Sequence, residues 1–352
     1  MPSSHPPRPA SLAPIVLESR YRLLLKAVIR LRGSRRGRLA LGSGYGVVAV
    51  ALAVLAVRHF AAAGWPLKHG RPGVLVAAGL LLLLAQGLKA LGWARLFTRA
   101  ERPSALALAA GNGGAALAGV ILPGRFDDAM RIVVVRHYPG CRAGIRALCL
   151  SLVMLGLIDS VALAPLALAA AALPGIGWGV RAGLAVVAAA GAAAATLILA
   201  LPRLAATRFF LKFRLGRWLF PRATPRGPAT QAWALVSACW LVRAAAMFLI
   251  LGGIGVAYSV PVALVFLCAG AAAAALPIGP AGAATQIGAG GAALVASGVG
   301  TAQALAAAVA VGGFGVLSGA VVLLAAVAWR GGIALTRRLP RARRSAAQAP
   351  EW

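Results

Sequence analysis

The chain has 352 residues, of which 61% are apolar and only 12% charged, and its formal net charge is +30. A mean hydropathy of +0.86 and apolar runs of about twenty residues exclude an ordinary soluble enzyme and indicate a polytopic helical membrane protein. The runs are continuous rather than alternating, which disfavours a membrane β-barrel. The high apolar fraction also argues against a nucleic-acid-binding protein, which the basic charge alone would suggest.

Residues 1–38 are polar and basic, and they predict a cytoplasmic N-terminal segment. Within it, 15–32 places leucines and valines at helical spacing among arginines, which is typical of an amphipathic helix on an anionic membrane surface. No short apolar segment with a cleavage site precedes Leu39, so we expect the first apolar run to remain as a membrane span. Residues 39–330 are the predicted transmembrane domain, and 331–352 are a basic cytoplasmic tail.

Eight apolar runs follow one another along the transmembrane domain. The last run contains Gly298-Val299-Gly300, which predicts a break between two helices. The runs are 39–57, 74–97, 104–122, 145–172, 180–201, 229–257, 261–276 and 283–328.

The distribution of Lys and Arg constrains how these runs cross the membrane. If each run were a simple span, the strongly basic loop 202–228 would lie outside, against the positive-inside rule. If 104–136 is instead a re-entrant hairpin from the cytoplasm, 28 of the 36 basic residues lie inside, four lie outside and four lie at membrane depth. Both termini are then cytoplasmic, provided that 261–298 is a second hairpin from outside or an extra pair of spans.

This topology makes the two halves of the chain alike: each reads span, span, hairpin, span. Inverted repeats with broken helices are typical of transporters, because non-helical backbone is tolerated at membrane depth only where protein or water satisfies it. The sequence therefore predicts an all-α bundle of six to eight spans with two re-entrant hairpins in an inverted repeat. The alternative, that both turns simply end ordinary spans, stays open. The predicted hairpin tips contain Pro123, Gly124, Pro277, Pro280 and Gly282.

The densest group of charged residues follows the first predicted tip. If 126–136 is helical, Asp127 and Asp128 lie four and three residues before Arg131, so either carboxylate can pair with it. Both acids also suit the positive N-terminal end of a helix. Arg125 at the tip has no obvious local partner, and a guanidinium in a cavity is well suited to gripping a phosphate with two hydrogen bonds.

Five further polar residues interrupt apolar runs. Asp159 lies near the middle of a span and is expected to face the bundle interior, since a carboxylate in lipid is costly. Arg243 is expected to pair with Asp159 or with an acid of the first hairpin. Lys89 either contacts a head group or extends its amine to the cytoplasmic surface. Gln286 is expected to line a cavity, and Asn112, among glycines, marks a close helix contact.

Several catalytic signatures are absent from the sequence. There is no Walker A motif, so ATP hydrolysis by this chain is not expected, and neither HExxH nor GxSxG occurs. The four histidines do not cluster, and the four cysteines lack metal-binding spacing and are interpreted as packing residues. We predict no catalytic residue, no metal and no cofactor.

The segment from Ile121 to Arg131 resembles the "LLPGRxGExxR" signature of the lysylphosphatidylglycerol synthase transmembrane region, also called the flippase-like family. Leu157-Ile158-Asp159 is similar to a later family pattern, and 276–286 is similar to its "LPxSPGGxGxxE" pattern. The order of the three agrees, and the resemblance extends over residues 40–330. Three positions depart from the family pattern. Asp127 occupies a position that is usually Gly, Asp128 one that is usually Glu, and Gln286 one that is frequently Glu.

The resemblance implies a part in moving lipids between leaflets. Only about 22 residues follow Arg330, so we do not expect the aminoacyl-transfer domain of the founding enzymes. We predict a translocator in the bacterial inner membrane whose partners are lipids with anionic head groups, either phospholipids or polyprenyl-linked lipids. The predicted head-group contacts are Lys89, Arg125, Arg131, Arg243 and Gln286. The residues expected to balance charge or exchange protons are Asp127, Asp128 and Asp159.

Two other functions fit the same sequence. The chain is alternatively a scaffold that recruits a lipid-modifying synthase or glycosyltransferase through loop 202–228. It is alternatively an intramembrane enzyme acting on lipid phosphates, which would require Asp127 or Asp128. The sequence does not predict the oligomeric state.

Overall fold

The computed structural model describes residues 70–121, 126–174, 176–205, 226–256, 259–275 and 282–347. The chain divides into two parts between Val57 and Arg58, and all of the described residues belong to the second part. Several predicted features lie outside the described residues. They are the N-terminal segment, the first apolar run 39–57, most of loop 202–228, and both predicted hairpin tips with the exception of Gly282. The described part is entirely helical, as the sequence predicts.

Nine helices are described, and we number them in chain order. Their bounds are α1 Pro72–Ala94, α2 Ala105–Ile121, α3 Phe126–His137, α4 Ile145–Ala172, α5 Trp178–Ala205, α6 Arg226–Gly253, α7 Val260–Ala275, α8 Gly282–Ala296 and α9 Thr301–Ala347.

Five of the described helices, α1, α4, α5, α6 and α9, are long and apolar enough to cross a membrane. The shortest of them, α1, has 23 residues, which gives a length of about 35 Å against a hydrocarbon core of about 30 Å. Their large apolar side chains also face outward. On α1, Val76, Leu80 and Leu84 are all more than half exposed, while the polar Gln86 and Lys89 on the same helix are buried. This inside-out distribution fits a helix bundle surrounded by lipid.

The other four helices are too short to cross alone and occur as two adjacent pairs. Helices α2 and α3 have 17 and 12 residues, and α7 and α8 have 16 and 15. At about 1.5 Å per residue, none exceeds about 26 Å. Within each pair the two helices pack on each other, which agrees with the two predicted helical hairpins. The side of the membrane from which each hairpin enters stays a prediction, as does the inverted repeat.

Two glycines with positive φ end helices in the second half of the chain. Gly255 follows α6 with φ 82° and Gly298 follows α8 with φ 88°. In each case the next residue, Val256 or Val299, donates its backbone N–H to a carbonyl in the last turn, at 3.0 Å. These are Schellman caps, which need a residue that tolerates a left-handed conformation. The predicted break at Gly298-Val299-Gly300 is therefore confirmed.

The helices approach each other most closely at glycines, which have no side chain to hold the two backbones apart. The most extensive contact joins α1 to α6, followed by α4 with α5, and then equally by α2 with α9 and α7 with α8. A Cβ on Gly191 of α5 would lie 2.5 Å from the carbonyl oxygen of Ser160 on α4. Helices in membranes associate mainly through such close van der Waals packing, because lipid provides no hydrophobic drive between them. The buried core includes Trp93, Leu155 and Ile250.

Candidate functional site

A buried ion pair joins α1 to α4 inside the bundle. Lys89 Nζ donates a hydrogen bond to Asp159 Oδ2 at 2.8 Å. The two side chains are only 10% and 21% exposed. A charged pair in such a setting persists when each charge neutralises the other and the remaining polar atoms find partners. The expectation that Asp159 faces the bundle interior is met.

Trp240 on α6 provides the second partner of the same carboxylate. Its Nε1 donates to Asp159 Oδ1 at 3.0 Å, so both carboxylate oxygens accept a hydrogen bond. The Lys89 ammonium also lies 6.0 Å from the Trp240 ring centroid, at the limit of a cation–π contact. One carboxylate thus fixes the mutual positions of α1, α4 and α6.

Arg243 lies on the Trp240 ring, with its Cζ 5.2 Å from the centroid. None of the three ion pairs found among the described residues involves Arg243. Because Lys89 and Asp159 neutralise each other, the Lys89, Asp159 and Arg243 group carries one net positive charge. A cation–π contact with an indole leaves the N–H donors of a guanidinium available, and these donors match the oxygens of a phosphate.

A second indole forms a similar bond one helical turn from Lys89. Trp93 Nε1 donates to Ser151 Oγ of α4 at 2.9 Å, and Ser151 Oγ donates to the Leu148 carbonyl at 2.8 Å. Trp93 and Ser151 are both buried. These contacts extend the polar contact between α1 and α4. We call the whole set the polar seam, and it comprises Lys89, Trp93, Ser151, Asp159, Trp240 and Arg243.

The first hairpin has its own group of charges at the start of α3. Arg131 Nη1 donates to Asp128 Oδ1 at 2.9 Å, and Arg131 Nη2 lies 3.9 Å from Asp127 Oδ2. Both acids are in the first turn of the helix, so the predicted pairing is confirmed for both. The three residues together carry one net negative charge. Arg131 Nε is buried, and among the described groups it has no hydrogen-bond partner.

Asn112 lies on α2 where this helix meets α3 and α9. A Cβ on Gly113 would overlap the Gly319 carbonyl oxygen of α9, and one on Gly111 would lie 2.7 Å from Val135 Cγ2 of α3. The predicted close helix contact at Gly111-Asn112-Gly113-Gly114 is therefore confirmed. Asn112 itself is 4% exposed.

Two expectations about the isolated cations are corrected by the structure. Lys89 does not extend to the membrane surface; it is buried and bound to Asp159. Arg243 does not pair with Asp159, whose two carboxylate oxygens accept hydrogen bonds from the Lys89 ammonium and the Trp240 N–H. Arg243 binds the Trp240 ring instead.

The second hairpin contributes less to the described site. Gln286 is exposed on α8, and the contacts of the polar seam do not include it. Gly282 is the first residue of α8. The remaining predicted residues, Pro123, Gly124, Arg125, Pro277 and Pro280, lie outside the described residues. In the described ranges, no three His, Cys, Asp or Glu side chains are grouped so as to hold a metal ion.

Trp93, Ser151 and Trp240 of the polar seam were not predicted from the sequence. Their spacing contains a usable signal: Trp93 lies four residues after Lys89, Trp240 three before Arg243, and Ser151 eight before Asp159. Each interval returns to nearly the same face of a helix. A charged residue in an apolar span therefore predicts that polar residues one or two turns away share its buried face.

The Trp240 N–H bond predicts a measurable stability difference. Trp240→Phe keeps a ring under Arg243 but removes the donor to Asp159, so we expect a loss of about 1–3 kcal/mol, as for hydrogen bonds to charged groups. Thermal unfolding in detergent should show a transition several degrees lower. Trp233→Phe on the same helix is the control, because Trp233 is exposed. Equal transitions for the two variants would contradict the assigned bond.

Five described helices are long enough to cross a membrane, and they expose apolar side chains while polar side chains are buried in the bundle. These features define a multi-pass membrane protein. Residues 35–325 match the family described as the lysylphosphatidylglycerol synthase TM region, and the chain belongs to this family. The membership relates the chain to membrane lipids. Comparison with curated proteins and with solved structures gives no match.

Proposed function

We propose that this protein moves an anionic phospholipid or a polyprenyl-linked lipid between the leaflets of the bacterial inner membrane, and that it is not an enzyme. Membership in a membrane-lipid family supports a lipid as cargo. The positive-inside count supports cytoplasmic N- and C-termini.

The observation that carries the proposal is the charge state of the polar seam. Arg243 is held on Trp240, while the neighbouring Lys89 and Asp159 neutralise each other. An apolar bundle that keeps one unneutralised guanidinium favours an anion at that point. A lipid phosphate fits, because two of its oxygens accept parallel N–H bonds from one guanidinium.

The remaining charged residues are assigned supporting parts in this mechanism. Trp240 and Asp159 position Arg243 and Lys89, and Lys89 is available to the phosphate only if Asp159 takes up a proton or moves away. Arg131, with its two acids, and Arg125 act at the first hairpin, and Gln286 acts at the second. Movement of the two hairpins in alternation would expose the seam to each leaflet in turn. A proton gradient or the membrane potential would drive it, since the sequence has no ATP site.

The test is lipid flipping in vesicles that contain the purified protein. We expect Arg243→Gln to slow the flipping of an acyl-labelled anionic phospholipid by about 10- to 100-fold, since a charge-assisted hydrogen bond contributes about 1.5–3 kcal/mol. Arg125→Ala should slow it likewise. Arg181→Gln is the matched control, because Arg181 is exposed at the start of α5 and its loss should leave the rate unchanged. Wild-type rates in both Arg243→Gln and Arg125→Ala, with expression intact, would overturn the proposal.

The scaffold alternative is tested by a different assay, the effect of the protein on lipid modification in cells. Variants of Arg243 and Arg125 would then be silent in cells, whereas neutralising the arginines of loop 202–228 would abolish the effect of the protein on lipid modification. An intramembrane enzyme would instead convert lipid phosphates in the purified state and would require Asp127 or Asp128.

A further inference from the structure

Asn112 is a buried amide with neither of its polar atoms satisfied. The residue is 4% exposed, and both Oδ1 and Nδ2 are buried without a hydrogen-bond partner among the protein groups of the described structure. An amide removed from water without a partner is costly, and in a membrane no surrounding water reduces this cost. Such a group is expected to have a partner in the working protein.

The position of Asn112 connects it with the two charged groups described above. Its neighbour Gly111 faces α3, and a Cβ there would lie 3.4 Å from the Arg131 carbonyl oxygen and 3.6 Å from the Trp93 ring. Trp93 belongs to the polar seam. Asn112 is thus next to the point where the two arms of the first hairpin meet the seam.

Arg131 has one further nitrogen in need of a partner. Two of its nitrogens face Asp128 and Asp127, which leaves the buried Nε without an acceptor in the described part of the chain. The two arms of the hairpin therefore present a donor on α3 and a donor and an acceptor on α2. All three lie in the hairpin that we propose to move during transport.

The chemistry of an amide limits what can satisfy it. A phosphate accepts hydrogen bonds and would leave Asn112 Oδ1 unpaired, while an ammonium donates and would leave Nδ2 unpaired. A hydroxyl group both donates and accepts, so it satisfies the two atoms together. We propose that Asn112 binds a hydroxyl group of the lipid head group and thereby selects polyol-bearing anionic lipids over lipids of equal charge without hydroxyls. This inference rests on the proposed function, and it deepens it.

The close contact of α2 with α9 indicates when this binding occurs. Glycine at 113 and 319 places the two backbones in contact, so a head group reaches Asn112 only when the helices separate. We therefore assign hydroxyl selection to a step in which the first hairpin moves away from α9.

Two lipids of equal charge, only one of which has head-group hydroxyls, test the proposal. Phosphatidylglycerol and phosphatidylethanol carry the same charge, and only the first has head-group hydroxyls. We expect the detergent-purified, full-length protein to bind phosphatidylglycerol about three- to tenfold more tightly, which corresponds to one or two neutral hydrogen bonds. Asn112→Leu should bring the ratio of affinities to within about twofold of one. Asn112→Gln, which keeps the amide, should retain part of the preference.

A stability readout separates head-group binding from a structural role. Asn112→Leu removes two unsatisfied atoms, so without lipid we expect its thermal transition to rise by a few degrees. Ser318→Ala on α9 is the matched control, because this buried hydroxyl already donates to the Gly315 carbonyl at 2.8 Å. Its loss should lower the transition slightly and leave the lipid ratio unchanged.

The outcomes can be told apart from failure of the proposed function. A wild-type ratio near one, or a ratio that Asn112→Leu leaves unchanged, would overturn the assignment. A fall in affinity for both lipids alike, with a lower transition, would indicate a structural asparagine and would also overturn it. Failure of the wild-type protein to flip any lipid would reject transport but not the binding preference.

Discussion

Asp159→Leu is expected to destabilise the protein by about 3–5 kcal/mol, because it leaves the Lys89 ammonium buried without its carboxylate. Lys89→Leu should cost a comparable amount for the complementary reason. The double variant should be far more stable than either single one, since two apolar side chains of similar size replace a buried pair at little net cost. Thermal unfolding of the four proteins in one detergent measures this coupling as a double-mutant cycle.

The control for this cycle is Asp128→Asn in the first hairpin. Arg131 and Asp128 are 22% and 38% exposed, and Arg131 keeps Asp127 as a neighbour. We expect a change of at most about 1 kcal/mol, as for exposed pairs. Additive effects of the two single substitutions, with the double variant the least stable, would show that Lys89 and Asp159 do not interact as described.

Gly113→Ala should be the most damaging small substitution in the hairpin region. The new Cβ would overlap the Gly319 carbonyl oxygen, and it would also lie 3.2 Å from the Leu323 backbone nitrogen. No side-chain rotation relieves a clash with backbone, so α2 and α9 must separate, at an expected cost of about 2–3 kcal/mol. The midpoint of thermal unfolding is the measurement.

Gly119→Ala on the same helix is the matched comparison. Nothing lies within 4 Å of a Cβ at that position, and alanine favours a helix over glycine by up to about 1 kcal/mol. Its transition should stay constant or rise slightly. A Gly113→Ala protein as stable as Gly119→Ala would contradict the close contact of α2 with α9.

The local features of this fold were predictable because they depend on neighbours in sequence. The spacing of Asp127, Asp128 and Arg131 gave the ion pairs, since residues three and four apart share a helix face. Gly298-Val299 gave the break between α8 and α9, because a positive φ favours glycine. The paired short helices agree with the hairpins that the positions of the basic loops and of the proline-containing tips predict.

The partners within the polar seam were not predictable in the same way. The inward position of Asp159 followed from the cost of a carboxylate in lipid, but Lys89 and Arg243 were equally suitable partners by charge. Which of them reaches Asp159 depends on how α1 and α6 are rotated against α4, and this is set by packing at sites such as Gly92, where a Cβ would lie 3.0 Å from Val236. Lys89 is seventy residues from Asp159 in the chain, so no local pattern records their contact.

Transport by alternating access requires that the two hairpins reach the seam from opposite sides of the membrane. The most direct measurement is labelling of single cysteines at positions 125, 280 and 224 from each side of the membrane. The background replaces the four free cysteines, Cys141, Cys149, Cys239 and Cys268. Inverted hairpins predict fast cytoplasmic labelling at 224 and slow labelling at 125 and 280, from opposite sides. Fast labelling of position 125 from outside would make α2 a full span and would contradict the inverted hairpins.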